Sequence, residues 1–164
     1  MKKIAVLFFV LAFGGHAFAQ NDTTAPYLKN RSIPAFNLIT NDSTLLTQNI
    51  LKEGKNTIFM LFNPDCDHCQ KQLELLLSIP ELAGSTQLIL CSIETLAKNR
   101  DFYKRNHLED YPFVHLGQDY KFYFGGFFQP RTIPMLAFYN KKGQFVLINN
   151  GNTKKEMIID ALKD

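Results

Sequence analysis

The chain is poor in cysteine and contains no tryptophan. Its 164 residues include three Cys, 15 Phe and no Trp. A small secreted domain that depends on disulfides for stability is dense in cysteine, so three cysteines exclude a disulfide-stapled scaffold. Internal repeats and low-complexity tracts are also missing, and the one long apolar run is at the N-terminus. These absences favour a single globular domain with a hydrophobic core.

The apolar run has the features of a secretory signal peptide. Met1–Lys3 is a basic start, Ile4–Phe13 is apolar, and Ala17–Ala19 matches the small-residue cleavage pattern. A run of this length is too short for a transmembrane helix, although an uncleaved membrane anchor is the alternative. The sequence therefore predicts export across the inner membrane to the periplasm, with no stable membrane insertion after cleavage.

Cleavage after residue 19 leaves 145 residues, enough for one domain with a full core. We predict a flexible leader over residues 20–32 and one folded domain over residues 33–164. The cleaved chain carries 16 basic and 15 acidic residues, a net charge of +1. This balance predicts binding neither to nucleic acid nor to an anionic membrane.

Two of the three cysteines form a C-x-x-C motif, Cys66–Cys69, between a predicted strand and a predicted helix. The strand is the apolar run Thr57–Phe62, and the helix has leucines at helical spacing until Pro80. Cys66 thus falls at a helix N-terminus, where unpaired N–H groups and the helix dipole favour a thiolate. Cys69 follows about one turn later, within bridging distance. This arrangement indicates reversible thiol–disulfide exchange.

Strands and helices alternate along the rest of the chain. Predicted elements are a hairpin over Ile33–Leu46, a strand over Gln87–Ile93, a helix over Leu96–Asn106, a strand over Phe113–Leu116, a short aromatic helix over Asp119–Phe124, and strands over Met135–Tyr139 and Phe145–Ile148. A last helix begins with the capping box Thr153–Glu156, and its predicted apolar face consists of Met157, Ile158, Ala161 and Leu162. The order predicts an α/β fold with a mixed sheet flanked by helices.

The strand, the C-x-x-C helix and the later Ile133-Pro134 together resemble the thioredoxin fold. The N-terminal hairpin and the added strand–helix between Gln87 and Gly117 resemble the exported TlpA/ResA-type redoxins, over Ile33–Leu162. The resemblance implies a thiol–disulfide oxidoreductase. No dissociable cofactor is expected, because the electrons reside on the two sulfurs, and no metal is expected, because Cys91, His107 and His115 do not form a second pair at ligand spacing. The resemblance also implies protein thiol or disulfide substrates and a membrane or periplasmic redox partner.

The resemblance further implies roles for individual residues. Cys66 is the nucleophile and Cys69 resolves the mixed disulfide. A cis peptide is expected at Ile133-Pro134, beside the cysteines. The backbone of Ile133 is expected to pair with an extended substrate segment.

Two positions depart from the family pattern. The Trp that commonly precedes the first cysteine is Asp65 here, and the buried acid that serves the second cysteine in thioredoxin is Met60. We hypothesise that Asp67 replaces that acid as proton acceptor. A cationic His68 favours the Cys66 thiolate, whereas Asp65 and Asp67 oppose it, so the net effect stays open.

Three alternative functions remain at this point. A thiol peroxidase shares the fold, but Asn63 stands where a peroxidatic site has Thr. A module that binds copper or haem is disfavoured by the two-residue spacing of the cysteines. A redox-inactive interaction domain would retain its biological activity in a Cys66→Ser variant.

The remaining candidate features are interpreted as structural. Cys91 lies mid-strand and is predicted to be a buried, inert thiol. Within the aromatic run Tyr120–Phe128, most residues are assigned to the core, and the predicted loop Gly125–Phe128 is the candidate for substrate docking. The basic residues of the predicted helix at Leu96–Asn106 are interpreted as a solvated face.

Overall fold

A seven-stranded mixed sheet organises the protein in the computed structural model, which describes residues 24–163. The strands are β1 (Asn37–Ile39), β2 (Leu45–Thr47), β3 (Asn56–Leu61), β4 (Thr86–Ser92), β5 (Val114–Gln118), β6 (Met135–Tyr139) and β7 (Phe145–Asn150). The helices are α1 (Pro26–Lys29), α2 (Asp67–Leu77), α3 (Pro80–Ser85), α4 (Leu96–Arg105), α5 (Tyr123–Phe128) and α6 (Lys155–Ala161). The predicted signal peptide, residues 1–19, lies outside the described residues. None of the helices within residues 24–163 is long and apolar enough to cross a membrane.

The strand order is β2-β1-β5-β4-β3-β6-β7. Strands β3, β4 and β5 are parallel, whereas β6 is antiparallel to β3 and β1 pairs with β2 in the predicted hairpin. Every residue of β3 and β4 is buried, as expected for central strands covered on both faces. The carboxyl ends of β3, β4 and β5 and the amino end of β6 therefore lie along one edge of the sheet, called here the cysteine edge because Cys66 follows β3.

Two apolar clusters fill the two faces of the sheet. On one face, Met60 and other strand residues pack against Leu73 of α2, Phe102 of α4 and Ile158 of α6. On the other face, Phe59 packs against an aromatic group from the hairpin, α5 and the last strands. The alternation of Phe59 and Met60 between faces follows from the two-residue period of a strand.

Part of the predicted leader has regular structure. Helix α1 lies there, and the ring of Tyr27 is 5.1 Å from that of Phe145 and 6.3 Å from that of Phe128. The backbone N–H of Phe145 donates to the carbonyl of Arg31, and Ser32 forms a bridge with Gln144. The segment before Ile33 therefore packs along β7, and the boundary at residue 33 stays a prediction.

The aromatic helix is not where the sequence predicted it. Helix α5 runs over Tyr123–Phe128, because the buried carboxylate of Asp119 accepts the N–H groups of Tyr123 at 2.9 Å and Phe124 at 2.8 Å. The predicted loop Gly125–Phe128 is thus helical, and Phe127 and Phe128 are buried. The docking role considered for that loop does not fit this burial.

Helix α2 ends at Leu77, before Pro80 as expected, and Pro80 begins the short helix α3, where a proline in the first turn costs no hydrogen bond. Two other local predictions, both at α6, were wrong. The capping box at Thr153–Glu156 does not form, because the Thr153 hydroxyl accepts instead from Asn149 Nδ2 at 2.9 Å. Met157 is 43% exposed rather than on the apolar face of α6.

Candidate active site

Cys66 is the residue that caps α2. It follows β3 through a tight turn, in which the N–H of Cys66 donates to the carbonyl of Asn63 at 3.1 Å. Its backbone is extended, and its sulfur accepts the N–H of Cys69 at 3.3 Å. A sulfur in this position receives a backbone hydrogen bond and faces the positive end of the helix, and both favour negative charge on it.

Cys69 lies one turn further along α2 and is fully buried. Both cysteines are thiols, and the Cys69 thiol donates to the Cys66 sulfur across 2.6 Å. A disulfide brings two sulfurs to about 2.05 Å, so little movement joins them. Burial, and then the hydrogen bond to Cys66, raise the pKa of Cys69 to about 12. The pair therefore divides into a half-exposed sulfur and a buried, protonated one.

The surroundings of Cys69 are apolar. Met60, which occupies the position of the usual buried acid, is fully buried in the same cluster as Cys69. Asp67, the hypothesised replacement, is exposed in the first turn of α2. Among the described residues, no carboxylate contributes to the pKa of Cys69. The role of Asp67 as proton acceptor stays a prediction, and the exposure of its side chain does not favour it.

His68 is also exposed in the first turn of α2. Its carbonyl accepts Asn152 Nδ2 at 3.1 Å, so the backbone of this turn is tied to the loop before α6. The imidazole faces solvent. An effect of His68 on the cysteines remains a prediction.

The peptide bond Ile133-Pro134 is cis, as the resemblance implies. It directly precedes β6, whose first residue Met135 pairs with Leu61 at the end of β3. The cis proline thus lies at the cysteine edge, with Pro134 buried and Ile133 38% exposed. The carbonyl of Pro134 accepts the N–H of Gly151 at 2.8 Å. Pairing of Ile133 with a substrate stays a prediction.

Gln72 is a buried residue that the sequence did not reveal. Its side chain accepts the N–H of Thr153 at 2.5 Å and donates to the Thr153 carbonyl at 3.3 Å. The loop over residues 151–153 therefore contacts both Pro134 and α2. In the sequence, a glutamine among helical leucines indicates a solvent-exposed position. The structure shows instead that Gln72 connects α2 to this loop.

Two basic residues of α4 contact the loop that carries Cys66. Lys98 Nζ is 2.7 Å from the Asp65 carboxylate, and Arg105 Nη2 donates to the carbonyl of Pro64 at 3.1 Å. Both side chains are exposed, as the interpretation of a solvated face implies, and the structure adds their contacts with the cysteine loop. An open cleft of about 540 Å³ adjoins them; it is lined by Pro64, Asp65, Cys66, Asp67, Gln70 and Arg105.

Cys91 lies away from the pair. It is buried on β4 in the aromatic cluster, on the opposite face of the sheet from Cys69. Burial, and then the charge of Asp119, hold its pKa well above the usual value for a thiol. The predicted burial of Cys91 is confirmed, and a protonated buried thiol is a poor nucleophile.

The fold is that of known redox proteins. No protein-family model and no curated protein matches the chain. StoA from Bacillus subtilis is 21% identical and has a TM-score of 0.60, with 78% of this chain and 96% of StoA covered. The pneumococcal exposed lipoprotein thioredoxin Etrx1 from Streptococcus pneumoniae is 20% identical with a TM-score of 0.60, with 77% of this chain and 96% of Etrx1 covered. A secreted Mycobacterium tuberculosis disulfide oxidoreductase homologous to E. coli DsbE is 15% identical with a TM-score of 0.58, with 73% of this chain and 84% of that protein covered. The chain therefore has the thioredoxin fold, and the predicted fold class is confirmed. At these identities the likeness establishes the fold alone.

Proposed function

We propose that the protein is an exported thiol–disulfide oxidoreductase that acts on protein substrates. The observation that carries this proposal is the pair of sulfurs at the start of α2, half-exposed in Cys66 and buried in Cys69, 2.6 Å apart. Reversible exchange needs one accessible nucleophile and a second thiol within bonding reach. Both requirements are met without any cofactor, because the two electrons reside on the sulfurs.

In the reducing direction, the Cys66 thiolate attacks one sulfur of the substrate disulfide. The substrate S–S bond breaks, a mixed disulfide forms, and the other substrate sulfur leaves as a thiolate that takes up a proton. Cys69 then loses its proton and attacks the Cys66 sulfur, which releases the second substrate thiolate. The dithiol is oxidised by two electrons and the substrate is reduced by two; the oxidising direction is the reverse.

Exposed apolar side chains support a protein substrate rather than a small hydrophilic thiol. Nine large apolar residues are exposed within residues 24–163, and five of them follow or precede strand ends at the cysteine edge: Ile93, Tyr120, Phe122, Tyr123 and Ile133. Phe122 is 63% exposed with φ of 54°, a left-handed conformation that is costly for a bulky residue. The Asp119 carboxylate, by capping the next residues, holds this turn in place.

Export is supported by the N-terminal pattern over residues 1–19. Two proteins of similar fold are described as an exposed lipoprotein and as secreted. An exported dithiol needs a membrane or periplasmic partner to restore its redox state after each cycle. Neither nucleic acid nor an anionic membrane is expected as a partner, given the charge balance.

A Cys69→Ser variant is expected to accumulate a mixed disulfide with a protein substrate. Without Cys69, the first step proceeds and the second has no attacking sulfur. The measurement is incubation with a protein that contains one accessible disulfide, quenching with acid, and mass spectrometry of the adduct. The matched control is the Cys66→Ser/Cys69→Ser double variant, which should form no adduct. Equal adduct in both variants would exclude Cys66 as the nucleophile.

A Phe122→Ser variant is expected to raise KM for the protein disulfide severalfold and to leave reduction of hydroxyethyl disulfide unchanged. The reason is loss of apolar contact area, which only a macromolecular substrate covers. Val146→Ser is the matched control, since Val146 is 37% exposed on β7 near the opposite edge of the sheet. Unchanged kinetics of Phe122→Ser with both substrates would contradict the idea that a protein substrate binds the exposed apolar residues.

A further inference from the structure

The loop that carries Cys66 is connected to α4 by a chain of polar contacts. Lys98 Nζ bonds the carboxylates of Asp65 at 2.7 Å and Glu94 at 3.2 Å. The other oxygen of Glu94 accepts Asn63 Nδ2 at 2.8 Å. Asn63 in turn accepts the N–H of Asp65 through its side chain and that of Cys66 through its carbonyl. The path from Lys98 to the backbone of Cys66 is therefore continuous.

Arg105 makes a second contact from the same helix. Its guanidinium donates to the carbonyl of Pro64 and lies 5.6 Å from the centre of the Phe102 ring. The ring is fully buried, so it gives the guanidinium a fixed surface to lie on. Helix α4 thus contacts the loop at two adjacent residues, Pro64 and Asp65.

The contact at Asp65 has an electrostatic consequence for the neighbouring cysteine. Asp65 directly precedes Cys66, and a carboxylate near a sulfur disfavours the thiolate by like-charge repulsion. The ammonium of Lys98 offsets that charge. Hydrogen bonds to Asp65 and then to Glu94 raise the pKa of Lys98, so the ammonium stays charged at neutral and mildly alkaline pH.

We propose that Lys98 is a positioning residue for the exchange chemistry, because its bond to Asp65 keeps that carboxylate from suppressing the Cys66 thiolate. The inference rests on the proposed role of Cys66 as nucleophile. It assigns a function to the bond between Lys98 and Asp65, the residue at which the sequence departs from the Trp of the family pattern. Other titratable and charged groups at this edge include Asp67 and His68 of α2, Glu94 before α4, Arg105 of α4, Asp119 and Lys121 after β5, and Arg131 before the cis proline.

The test is the pH dependence of the alkylation rate of Cys66 in the reduced protein, measured with iodoacetamide and peptide mass mapping. Lys98→Met is expected to lower the rate at neutral pH about threefold, the scale of an exposed ion pair, and to move the profile to higher pH. The sign follows because the Asp65 carboxylate, no longer offset by the ammonium, disfavours the Cys66 thiolate. Asp65→Asn is expected to raise the rate and move the profile to lower pH.

The double variant Asp65→Asn/Lys98→Met isolates the pair. Once Asp65 is neutral, Lys98→Met should shift the profile clearly less than it does in the wild-type background, because only the pairing of Lys98 with Glu94 is then lost. Lys104→Met is the matched control, since it removes the same charge from an exposed position of the same helix and should leave the profile unchanged.

Two results would overturn the inference. One is an unchanged profile in Lys98→Met, including the case where that variant only loses stability. The other is an equal shift with and without the Asp65 carboxylate. Iodoacetamide is not a disulfide, so the test also separates this inference from the proposed function. If the protein shows the expected shift but exchanges no disulfide, the proposed function is refuted and the role of Lys98 stands.

Discussion

Replacing Cys66 with Ser is expected to lower the rate of disulfide exchange about a thousandfold or more, which is the usual effect of removing a catalytic nucleophile. A serine hydroxyl does not form a stable disulfide. Cys69 does not take over, because its burial, the largest cause of its raised pKa, remains in the variant. The measurement is the initial rate of reduction of a protein disulfide in the presence of a regenerating thiol.

The pH dependence of the residual rate gives a second check on Cys66→Ser. If the remaining exchange comes from Cys69, it rises about tenfold per pH unit below the pKa, because the thiolate fraction does so. Cys91→Ser is the matched control and should retain the wild-type rate, since Cys91 is buried on the other face of the sheet. Exchange at the wild-type rate in Cys66→Ser would refute the assignment of the nucleophile.

Replacing Phe59 with Ala is expected to lower the free energy of unfolding by about 4 kcal/mol, the usual cost of deleting a fully buried aromatic ring. Phe59 lies on β3 and is 0% exposed. Its ring centre lies within 6 Å of four others: those of Phe36, Phe124, Phe128 and Tyr139. Its removal therefore leaves a cavity at the junction of the hairpin, α5 and the sheet.

Urea unfolding followed by circular dichroism measures this cost. The Phe122→Ser variant is a suitable control, because its side chain is exposed and its loss should change the unfolding free energy by no more than about 0.5 kcal/mol. A loss below about 1.5 kcal/mol in Phe59→Ala would mean that the aromatic cluster on this face does not hold the sheet as described. Because Cys66 follows β3 after the turn over residues 62–65, the same cluster also supports the position of the cysteine pair.

The parts of the fold predicted correctly from the sequence are those decided by local pattern. The continuous apolar run before Cys66 and the spaced leucines after it are dictated by burial on a central strand and on one helix face. The hairpin strands β1 and β2 also follow from alternation and a polar turn. The cis peptide before Pro134 had to be taken from the family resemblance, since base rates for X-Pro bonds favour trans.

The errors and omissions arose where a polar side chain has several possible partners nearby, or where its partner lies on another element of the fold. The start of α5 depends on the buried carboxylate of Asp119, which the sequence offered equally as a helix residue. The hydroxyl of Thr153 is taken by Asn149, so no capping box forms. The contacts of Lys98 and Arg105 with the cysteine loop depend on how α4 packs beside α2. Sequence spacing within one helix carries no information about such partners.

The most direct test of disulfide exchange by Cys66 and Cys69 is their redox equilibrium in graded glutathione buffers, with thiols trapped by alkylation and counted by mass. We predict one two-electron transition in which Cys66 and Cys69 lose their thiols together while Cys91 keeps its own. A midpoint near about −270 mV would indicate a reductant, and one near about −120 mV an oxidant. If the two cysteines remain thiols throughout, or form only adducts with glutathione, the chain does not exchange disulfides through this pair.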